Sequence, residues 1–289
     1  MTGLFLVDKE QDWTSSDVVA KLRGVFRERR IGHAGTLDPM ATGLLLIMTG
    51  RATRASDYAM AHDKTYIARM RTGITTDTQD TTGTVIAQGT PDFTDDELQT
   101  VLSRFMGRTM QLPPMYSAIK VNGKKLYEIA RRGGEVERKQ REINISELSV
   151  LSREGNDVIM RVSCSSGTYI RTLCSDIGDA LGCGACMAEL RRTRLGDFNI
   201  EEAHTVSQLE EAFKAGEIDR LMLGVDRVFA RYPSATLPER DERAVRCGNP
   251  VKTDLADGKY RIYSQSGEFL MLAEVRGNTM RTEKSFFEV

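Results

Sequence analysis

The chain has 289 residues, 40% hydrophobic and 28% charged, a composition that excludes an intrinsically disordered protein and is typical of a globular one. Its formal net charge of -1 excludes a general attraction to nucleic acid, so a nucleic-acid partner would have to be held by a local basic region. This length exceeds one ordinary hydrophobic core, and we expect one large domain and one small domain.

Targeting signals and cysteines point to one compartment. No apolar run reaches the roughly 18 residues that span a bilayer, so no membrane association is expected. The N-terminus has only four apolar residues, at positions 4–7, before Asp8, and this is too short for the core of a signal peptide. Five cysteines are an odd number for a disulfide framework, and reduced thiols fit better. We therefore predict a cytoplasmic protein.

The first half of the chain alternates between strand and helix patterns. Thr14 and Asp17 have the spacing of a capping box, and the apolar residues after them recur on one helical face. Thr94 and Glu97 form a second capping box. In chain order, the predicted elements are a strand at 4–7, the helix after Thr14, a strand at 64–71, a helix at 94–105 and a short helix at 126–132.

The second half continues the mixed pattern and ends differently. Strands are predicted at 143–151 and 158–164, and helices at 168–181 and 206–215. Pro233 and Pro238 mark a linker at 231–240, and strand-like segments follow at 260–263 and 269–275. The pattern predicts an α+β fold with a large domain at residues 1–230 and a small β-rich domain at 231–289.

One local basic stretch stands out from the balanced charge of the chain. Residues 118–141 contain eight Lys or Arg and three Glu, which gives a local charge of +5. A run of this kind, taken alone, is typical of a solvated helix laced with salt bridges. Contact with a phosphate backbone is the alternative interpretation, because lysine and arginine supply most of the affinity for nucleic acid.

The residues with chemical potential concentrate at positions 32–45, which read GHAGTLDPMATGLL. Pro39 restrains the residue before it to an extended backbone, so Asp38 is expected to project from a loop rather than a helix. Gly32, Gly35 and Gly43 remove side chains where a ligand could approach. An isolated Asp-Pro pair is common in turns, and only the whole string indicates a catalytic function.

This string resembles the catalytic motif of the TruB family of tRNA pseudouridine synthases, and further motifs follow in the family's order. They are KTY at 64–66, TDTQD at 76–80, LPPMYSAIK at 112–120, LYEIARRG at 126–133, SSGTYIR at 165–171 and LRRT at 190–193. The resemblance extends from about residue 4 to about residue 228. It implies a mixed, largely antiparallel sheet in a catalytic domain that includes a basic RNA-binding insert at about 112–142.

The resemblance also implies an isomerase that converts the T-loop uridine of tRNA to pseudouridine after flipping the base. The N-glycosidic bond must break, the base must turn while held, and a new bond must form at C5, so a covalent nucleophile is required. A carboxylate is ionised at neutral pH and leaves readily. Asp38 matches the family's nucleophile. Attack on C6 of the base and attack on C1′ of the ribose both remain open.

The resemblance assigns roles to further residues. Arg171 matches the cation that keeps the nucleophile ionised, and Asp80 matches the second acid beside that cation. Tyr66 matches the aromatic residue that stacks on the target base and assists removal of the C5 proton. The remaining matches are His33, which is implied to stack in the T-loop, Tyr169 and Leu190 in the uridine pocket, and Lys120, Lys124, Arg131 and Arg132 in an RNA clamp.

Nothing in the sequence requires a cofactor or a metal. There is no P-loop, H-E-x-x-H or G-x-G-x-x-G motif. Cys183 and Cys186 have zinc-like spacing, but no second pair accompanies them. Cys186 also stands where many family members carry a histidine. The C-terminal segment resembles, more weakly, the PUA or PUA-like RNA-binding domain of bacterial family members.

Two alternatives belong to other classes of function. The protein could act chiefly as a chaperone that remodels tRNA, with isomerisation secondary, although Asp38, Tyr66 and Arg171 argue for catalysis. It could instead be a guide-RNA-dependent relative that works with partner proteins. The basic insert and the short C-terminus favour a monomeric enzyme that binds the T-arm of tRNA without an obligatory protein partner.

Overall fold

The computed structural model describes residues 1–117, 119–121, 123–130 and 133–288. The chain divides into two compact units. The first unit consists of residues 1–39, 43–61 and 197–289, and the second consists of residues 40–42 and 62–196. No helix among the described residues is long and apolar enough to cross a membrane.

The N-terminal part of the first unit is built on apolar strands that are buried along nearly their whole length. Strand β1 pairs antiparallel with β3, so that Leu4 lies opposite Met48 and Lys9 lies opposite Gly43. Strand β2 pairs with the last four residues of β3. The elements are β1 (Gly3–Lys9), α1 (Ser15–Phe26), β2 (Ile31–Ala34), β3 (Thr42–Thr49), a 3-10 helix (Gly50–Ala55) and α2 (Ser56–Met60).

Helix α1 begins where its capping box predicts. The Thr14 side chain accepts a hydrogen bond from the Asp17 N–H, and the Asp17 carboxylate accepts one from the Thr14 N–H. A cap of this kind stabilises a helix by about 1 kcal/mol. The helix buries Val18, Val19, Leu22 and Phe26, as the apolar spacing predicts.

The second unit contributes five antiparallel strands to the main sheet, with helices and short hairpins. The order of these five strands is β12-β4-β11-β10-β7. Helix α5 packs against β12 and β4. The elements are β4 (Lys64–Thr72), β5 (Ile74–Thr76), β6 (Val85–Gln88), α3 (Asp95–Ser103), β7 (Gly107–Gln111), β8 (Lys120–Val121), β9 (Lys124–Lys125), α4 (Leu126–Ala130), β10 (Arg141–Glu154), β11 (Asp157–Cys164), α5 (Ile170–Ala180) and β12 (Ala185–Leu195).

Alternation along β4 sets the two faces of this sheet. Lys64, Tyr66, Ala68 and Met70 are buried, whereas the residues between them are more exposed. Because side chains alternate across a strand, these four residues project from one face. The pattern corresponds to the strand predicted at 64–71, and the capping box of Thr94 and Glu97 likewise starts α3.

The remaining elements return to the first unit. They are β13 (Phe198–Asn199), a 3-10 helix (Ile200–Glu202), α6 (Val206–Lys214), 3-10 helices at Ile218–Arg220 and Val225–Phe229, β14 (Ser234–Thr236), α7 (Glu239–Arg246), β15 (Val251–Lys252), β16 (Gly258–Tyr263), β17 (Phe269–Arg276) and β18 (Thr279–Ser285). The last five strands form a sheet of order β14-β16-β17-β18-β15, in which only the β14 and β16 pair, among the described strands of this sheet, is parallel.

The segment predicted as a linker is ordered into secondary structure. Residues 231–240 contain β14 and the first two residues of α7. Pro238 is the N-cap of α7, with an extended backbone, and its carbonyl accepts hydrogen bonds from Asp241 and Glu242. Proline suits the start of a helix because it lacks only an N–H that the helix would leave unpaired there. The two prolines therefore mark element boundaries rather than a structureless connection.

Candidate active site

The predicted site residues are distributed over both units. His33 and Asp38 belong to the first unit, and Tyr66, Asp80, Tyr169, Arg171 and Leu190 belong to the second. Arg131 and Arg132 lie outside the described residues, and Lys120 and Lys124 are described only by their backbone, in the β8 and β9 hairpin. The assigned roles of all these residues stay predictions.

Asp38 lies in the loop between β2 and β3, between two residues that are held by hydrogen bonds. On one side, the Leu37 N–H donates to Ser15 Oγ at 2.9 Å, and the Ser15 hydroxyl donates back to the Leu37 carbonyl at 3.3 Å. On the other side, the Pro39 carbonyl accepts from the Asp12 N–H at 2.9 Å and from Lys9 Nζ at 3.3 Å. Both neighbours of the half-buried Asp38 are therefore restrained.

Lys9 is a fully buried ammonium group at the end of β1. Besides Pro39, its Nζ donates to the carbonyls of Glu10 at 2.9 Å and Trp13 at 2.6 Å. A buried ammonium is costly unless its protons are bound, and three carbonyls match its three donors. The side chain thereby ties the end of β1, the turn before α1 and the Asp38 loop into one arrangement.

Two glycines of the loop adopt backbone angles that other residues avoid. Gly35 has φ 79° and Gly43 has φ 99°. Both values lie in the region that favours glycine, so the glycine pattern of the motif is required by the turn itself. Gly32 lies in β2 beside His33, and His33 is half-buried opposite Ile47 of β3.

In the second unit, Arg171 and Asp80 form a buried ion pair. Arg171 Nη1 lies 3.5 Å from Asp80 Oδ2, and both side chains are only 7% exposed. Arg171 also donates to the carbonyls of Thr78 at 3.2 Å and Tyr116 at 2.8 Å. Because a guanidinium presents its donors in a rigid fork, these contacts fix its orientation at the start of α5. The pairing of these two residues is the one that the resemblance implies.

Asp80 is itself held by the turn that carries it. Its Oδ1 accepts from Thr78 Oγ1 at 2.8 Å, from the Thr82 N–H at 3.0 Å and from Thr82 Oγ1 at 2.5 Å. Its backbone also bridges to Met187 of β12. The threonines of the segment at 76–82 therefore orient the carboxylate that meets Arg171, in line with the preference of buried carboxylates for several donors.

Tyr169 is the N-cap of α5, and a glutamine side chain holds its backbone. The Tyr169 N–H donates to Gln111 Oε1 at 2.8 Å, and Gln111 Nε2 donates to the Tyr169 carbonyl at 3.0 Å. Gln111 is buried at the end of β7. This reciprocal pair positions the turn that leads directly into Arg171.

Tyr66 and Leu190 lie on neighbouring strands of the sheet. Tyr66 on β4 is 8% exposed, with Val162 of β11 on one side and Arg192 of β12 on the other as its cross-strand partners. Leu190 on β12 is also 8% exposed and lies opposite Ala68. Arg192 is almost completely buried and forms a hydrogen bond with the Tyr66 hydroxyl.

The cysteine pair considered for zinc lies within the second unit. Cys183 and Cys186 are both buried and unoxidised. Cys186 lies opposite Arg71, and burial raises the pKa of its thiol to about 11, which keeps the thiol protonated at neutral pH. Among the described residues, no group of three or more His, Cys, Asp or Glu side chains could hold a metal ion.

The sequence interpretation missed four residues that hold the site residues in place: Lys9, Ser15, Gln111 and Arg192. Ser15 follows the capping threonine, and nothing in its local pattern indicates a contact with Leu37, 22 residues away.

Strand β12 was not predicted at all, because its arginines disguise the alternation of a half-buried strand. The local signal that could have found it is the apolar run at 185–188, followed by Leu190 between two charged residues, which is compatible with a half-buried strand.

Comparisons with known proteins support one family. Residues 23–170 match the TruB family pseudouridylate synthase (N terminal domain), and residues 171–230 match the tRNA pseudouridylate synthase B C-terminal domain. The chain is 42% identical over 283 residues to tRNA pseudouridine synthase B of Azoarcus sp. (strain BH72), covering 98% of this chain and 94% of that protein. It is 38% identical over 288 residues to the protein of the same name from Haemophilus influenzae (strain PittEE), with coverage of 98% and 94%.

Solved structures share the fold. The crystal structure of a Cbf5-Nop10-Gar1 complex contains a chain that is 27% identical, with a TM-score of 0.77 and coverage of 99% of this chain and 85% of that one. A chain of an H/ACA RNP bound to a substrate RNA containing 2′-deoxyuridine has a TM-score of 0.76 at 24% identity, with the same coverage. These similarities confirm the predicted α+β fold of the pseudouridine synthase type. From the family match and the full-length identity, the chain belongs to the TruB family of pseudouridine synthases.

Proposed function

We infer that the protein is a tRNA pseudouridine synthase, an isomerase that converts a uridine of tRNA to pseudouridine. The observation that carries this conclusion is the similarity to curated tRNA pseudouridine synthases B over 98% of the chain at about 40% identity. The sequence prediction of a tRNA-modifying isomerase is confirmed at this level. We propose in addition that the uridine lies in the T-loop.

The proposed chemistry begins with Asp38 as the nucleophile that holds the substrate while the base turns. Its carboxylate forms a covalent bond and later leaves, so the base is not released between cleavage of the old bond and formation of the new one. The restrained backbone at Leu37 and Pro39 supports this role, because a nucleophile must be presented in one geometry. Arg171, whose orientation Asp80 fixes, is proposed to keep the nucleophile ionised.

The base must leave the RNA stack before either face can react. We assign Tyr66 to stacking on the extruded uridine and to taking the C5 proton after the base reattaches, and Tyr169 and Leu190 to the walls of its pocket. His33 is assigned to the T-loop that the extruded nucleotide leaves. The half-buried or buried positions of these side chains are compatible with contact with one nucleotide rather than with an extended RNA surface.

The basic stretch is proposed to hold the T-arm through its phosphates, with Lys120, Lys124, Arg131 and Arg132 as contacts. Its local charge of +5 contrasts with a net charge of -1 for the chain. The C-terminal residues 231–289 are proposed to form a small PUA-like RNA-binding domain. They have their own apolar core, which includes Val245, Ile262, Met271 and Val275.

The protein is proposed to act as a monomer in the cytoplasm, without a guide RNA, a cofactor or an obligatory protein partner. A guide-dependent mode is the second candidate, because the structural neighbours come from Cbf5-Nop10-Gar1 and H/ACA RNP complexes. The higher identity to the bacterial enzymes, about 40% against 27%, favours the mode that works alone.

One assay tests these proposals together. Purified protein alone is incubated with unmodified tRNA, and pseudouridine is mapped by carbodiimide treatment and primer extension. A single stop at the T-loop uridine is expected, and the Asp38→Asn protein serves as the control that yields no stop. Remodelled tRNA without pseudouridine would favour the chaperone function, and activity that requires added RNA or protein would favour the guide-dependent mode.

A further inference from the structure

Arg192 occupies an unusual environment for an arginine. It is 1% exposed and is among the largest fully buried side chains of the described residues. It lies on β12 directly opposite Tyr66 of β4, so the two side chains project from the same face of the sheet. Its guanidinium forms a hydrogen bond with the Tyr66 hydroxyl. Arg192 belongs to the sequence motif LRRT at 190–193.

The direction of this hydrogen bond is determined by chemistry. A guanidinium has five N–H donors and no acceptor, so the Tyr66 oxygen must be the acceptor. The hydroxyl proton of Tyr66 is consequently directed away from Arg192 and is left to donate elsewhere. Arg192 thus orients the phenol as well as contacting it.

The charge of Arg192 is retained in this environment and acts on the phenol oxygen. Burial lowers the pKa of the guanidinium, and the Tyr66 hydroxyl acts in the opposite direction. A guanidinium is not deprotonated in proteins, so Arg192 keeps its positive charge at neutral pH. A cation within hydrogen-bond distance stabilises an anion far more than it stabilises a neutral phenol, so it favours the phenolate form of Tyr66.

The elements packed around Tyr66 carry further titratable groups. On β11 its neighbour is Val162, which carries no charge. On β4 itself, Lys64 lies two residues away, and burial together with the Arg192 charge lowers its pKa to about 8. On α5, Arg171 is engaged by Asp80, Thr78 and Tyr116, and burial raises the pKa of the Cys174 thiol. The further titratable groups on these elements are Arg69 and Arg71 on β4, Asp157, Arg161 and Cys164 on β11, Cys186, Glu189, Arg191 and Arg194 on β12, and Asp176 and Asp179 on α5.

We propose that Arg192 is a positioning residue of the isomerisation: it orients the Tyr66 hydroxyl and stabilises the phenolate that removes the C5 proton. The phenol first loses its proton to solvent. The phenolate oxygen then takes the proton from C5 and becomes a phenol again, while the electron pair of the C5–H bond remains in the pyrimidine ring. This proposal rests on the proposed role of Tyr66 as the base.

A titration of Tyr66 tests the first half of the proposal without substrate. 3-Fluorotyrosine is placed at position 66 alone by nonsense suppression in the full chain, and its ¹⁹F resonance is followed against pH. We expect Arg192→Gln, which removes the charge but keeps an N–H donor, to raise the titration midpoint by about one pH unit or more. Arg192→Lys keeps the charge and should leave the midpoint closer to that of the parent protein.

Arg194→Met is the matched control, because Arg194 lies two residues further along β12, opposite Thr65 and exposed. It should leave the midpoint of Tyr66 unchanged. If Arg192→Gln does not fold, the parent and Arg192→Lys proteins still test the proposal. It is overturned if the parent has the titration midpoint of free fluorotyrosine and Arg192→Lys has the same midpoint. Equal midpoints in the parent, Arg192→Gln and Arg194→Met proteins overturn it as well.

Kinetic measurements test the second half of the proposal, the removal of the C5 proton by the Tyr66 phenolate. Single-turnover rates at saturating tRNA are measured against pH for the parent, Arg192→Gln, Tyr66→Phe and the double variant. We expect the alkaline rise of the Arg192→Gln profile to shift upward by the same amount as its ¹⁹F midpoint, about tenfold in rate at neutral pH for each unit. In the Tyr66→Phe background, Arg192→Gln should add little, because both changes remove one interaction.

The two readouts separate the proposal from the function on which it rests. A shifted ¹⁹F midpoint with a matching rate profile supports both. A shifted midpoint with an unchanged rate profile would show that Arg192 controls Tyr66 but that Tyr66 is not the base, which overturns the catalytic part of the proposal. Independent, multiplicative losses in the double variant would assign Arg192 a merely structural role and would also overturn it.

Discussion

At the scale of single residues, Asp38 is presented by its neighbours rather than by its own helix or strand. Ser15 holds Leu37, and Lys9 and Asp12 hold Pro39. A loop residue restrained on both sides loses little further freedom when substrate binds, and this is the arrangement that a nucleophile requires. The three residues that provide the restraint lie between the last residue of β1 and the first residue of α1, both included.

The first prediction concerns Asp38 itself. Asp38→Asn keeps the shape of the side chain and removes the nucleophilic charge, so isomerisation should be abolished. Binding of tRNA should stay within about tenfold, which corresponds to about 1.4 kcal/mol. Tritium release from C5-labelled tRNA measures turnover, and filter binding measures affinity. Turnover near that of the parent protein would refute the role of Asp38.

The second prediction concerns the restraint at Leu37. Ser15→Ala removes both hydrogen bonds and leaves the buried Leu37 N–H without its Oγ acceptor, which should lower the free energy of unfolding by about 1–3 kcal/mol. The saturated single-turnover rate should fall more than tRNA affinity does. Ser16→Ala, at the exposed next position, is the matched control and should behave as the parent. Equal behaviour of the two variants would show that the Ser15 contact does not position the loop.

The third prediction separates two roles of Tyr66. Tyr66→Phe keeps the ring for stacking and removes only the hydroxyl, so tRNA affinity should be close to that of the parent. The loss of a general base typically costs 10²- to 10⁴-fold in rate, and a loss of that size is expected in single-turnover experiments. Tyr66→Leu should reduce both affinity and rate. If Tyr66→Phe reacts at the parental rate, Tyr66 serves only for stacking.

At the scale of secondary-structure elements, the sheet of the second unit aligns residues that are far apart in the chain. Strand β4 lies between β11 and β12, so the register of both pairs decides what surrounds Tyr66. Because side chains alternate along a strand, a shift of one residue in either pair would move Arg192 or Val162 to the opposite face. Ion pairs at the strand ends are one means of specifying this register.

Asp157 forms such a pair at the start of β11. Its carboxylate accepts from Arg71 Nε at 2.8 Å and Arg71 Nη2 at 2.9 Å, and Arg71 is its cross-strand partner on β4. The Arg71 hydrogen bonds hold the pKa of Asp157 below its ordinary value of 3.8. A lowered carboxylate pKa stabilises the folded state above the ordinary pKa, and this contribution is lost as the pH falls through the folded value.

The fourth prediction follows from the lowered pKa of Asp157. Asp157→Asn should lower the free energy of unfolding at pH 7 by about 1 kcal/mol, a modest value because the Arg71 side chain is 45% exposed. The difference between the parent and the variant should shrink below pH 3.8. Urea unfolding at pH 7 and pH 3 measures it. Glu154→Gln, which alters an exposed partner of Arg69, is the control with little expected effect, and a difference that persists unchanged at pH 3 would contradict the assignment.

At the scale of the whole molecule, charge is distributed unevenly along the chain. The net charge is -1, yet residues 118–141 carry +5. Long-range attraction of the whole protein to RNA is therefore weak, and local contacts with phosphates must supply the affinity for RNA. Such contacts release counterions, so the affinity they give falls steeply with salt concentration.

The fifth prediction tests this stretch. Charge reversal of Arg131 and Arg132 to Glu should weaken tRNA binding and flatten the slope of log Kd against log salt, with little effect on the saturated rate. Reversal of Lys214 and Arg220, two exposed cations in the first unit, changes the net charge equally and is the matched control. Filter binding at several salt concentrations measures both slopes. An unchanged slope in the Arg131 and Arg132 variant would indicate that the stretch is a solvated helix and does not contact RNA phosphates.

The sequence by itself determined the elements whose signals are local, and it determined the family. Capping boxes at Thr14 and Thr94 start α1 and α3, the alternation at 64–71 becomes β4, and the motif around Asp38 indicated the family. These features depend on residues that are close together in the sequence, so their spacing alone predicts them.

Only the tertiary structure decided which residues support the predicted ones. Gln111 meets Tyr169 at a separation of 58 residues, Arg171 meets Thr78 at 93, and Arg192 reaches Tyr66 through the pairing of β12 with β4. The physical reason is that a buried polar group must find its partner wherever strand register and packing bring one, and that partner has no fixed spacing in the sequence. The Asp38 loop was therefore visible in the sequence, whereas the side chains that hold this loop and Tyr66 in place emerged only from the fold.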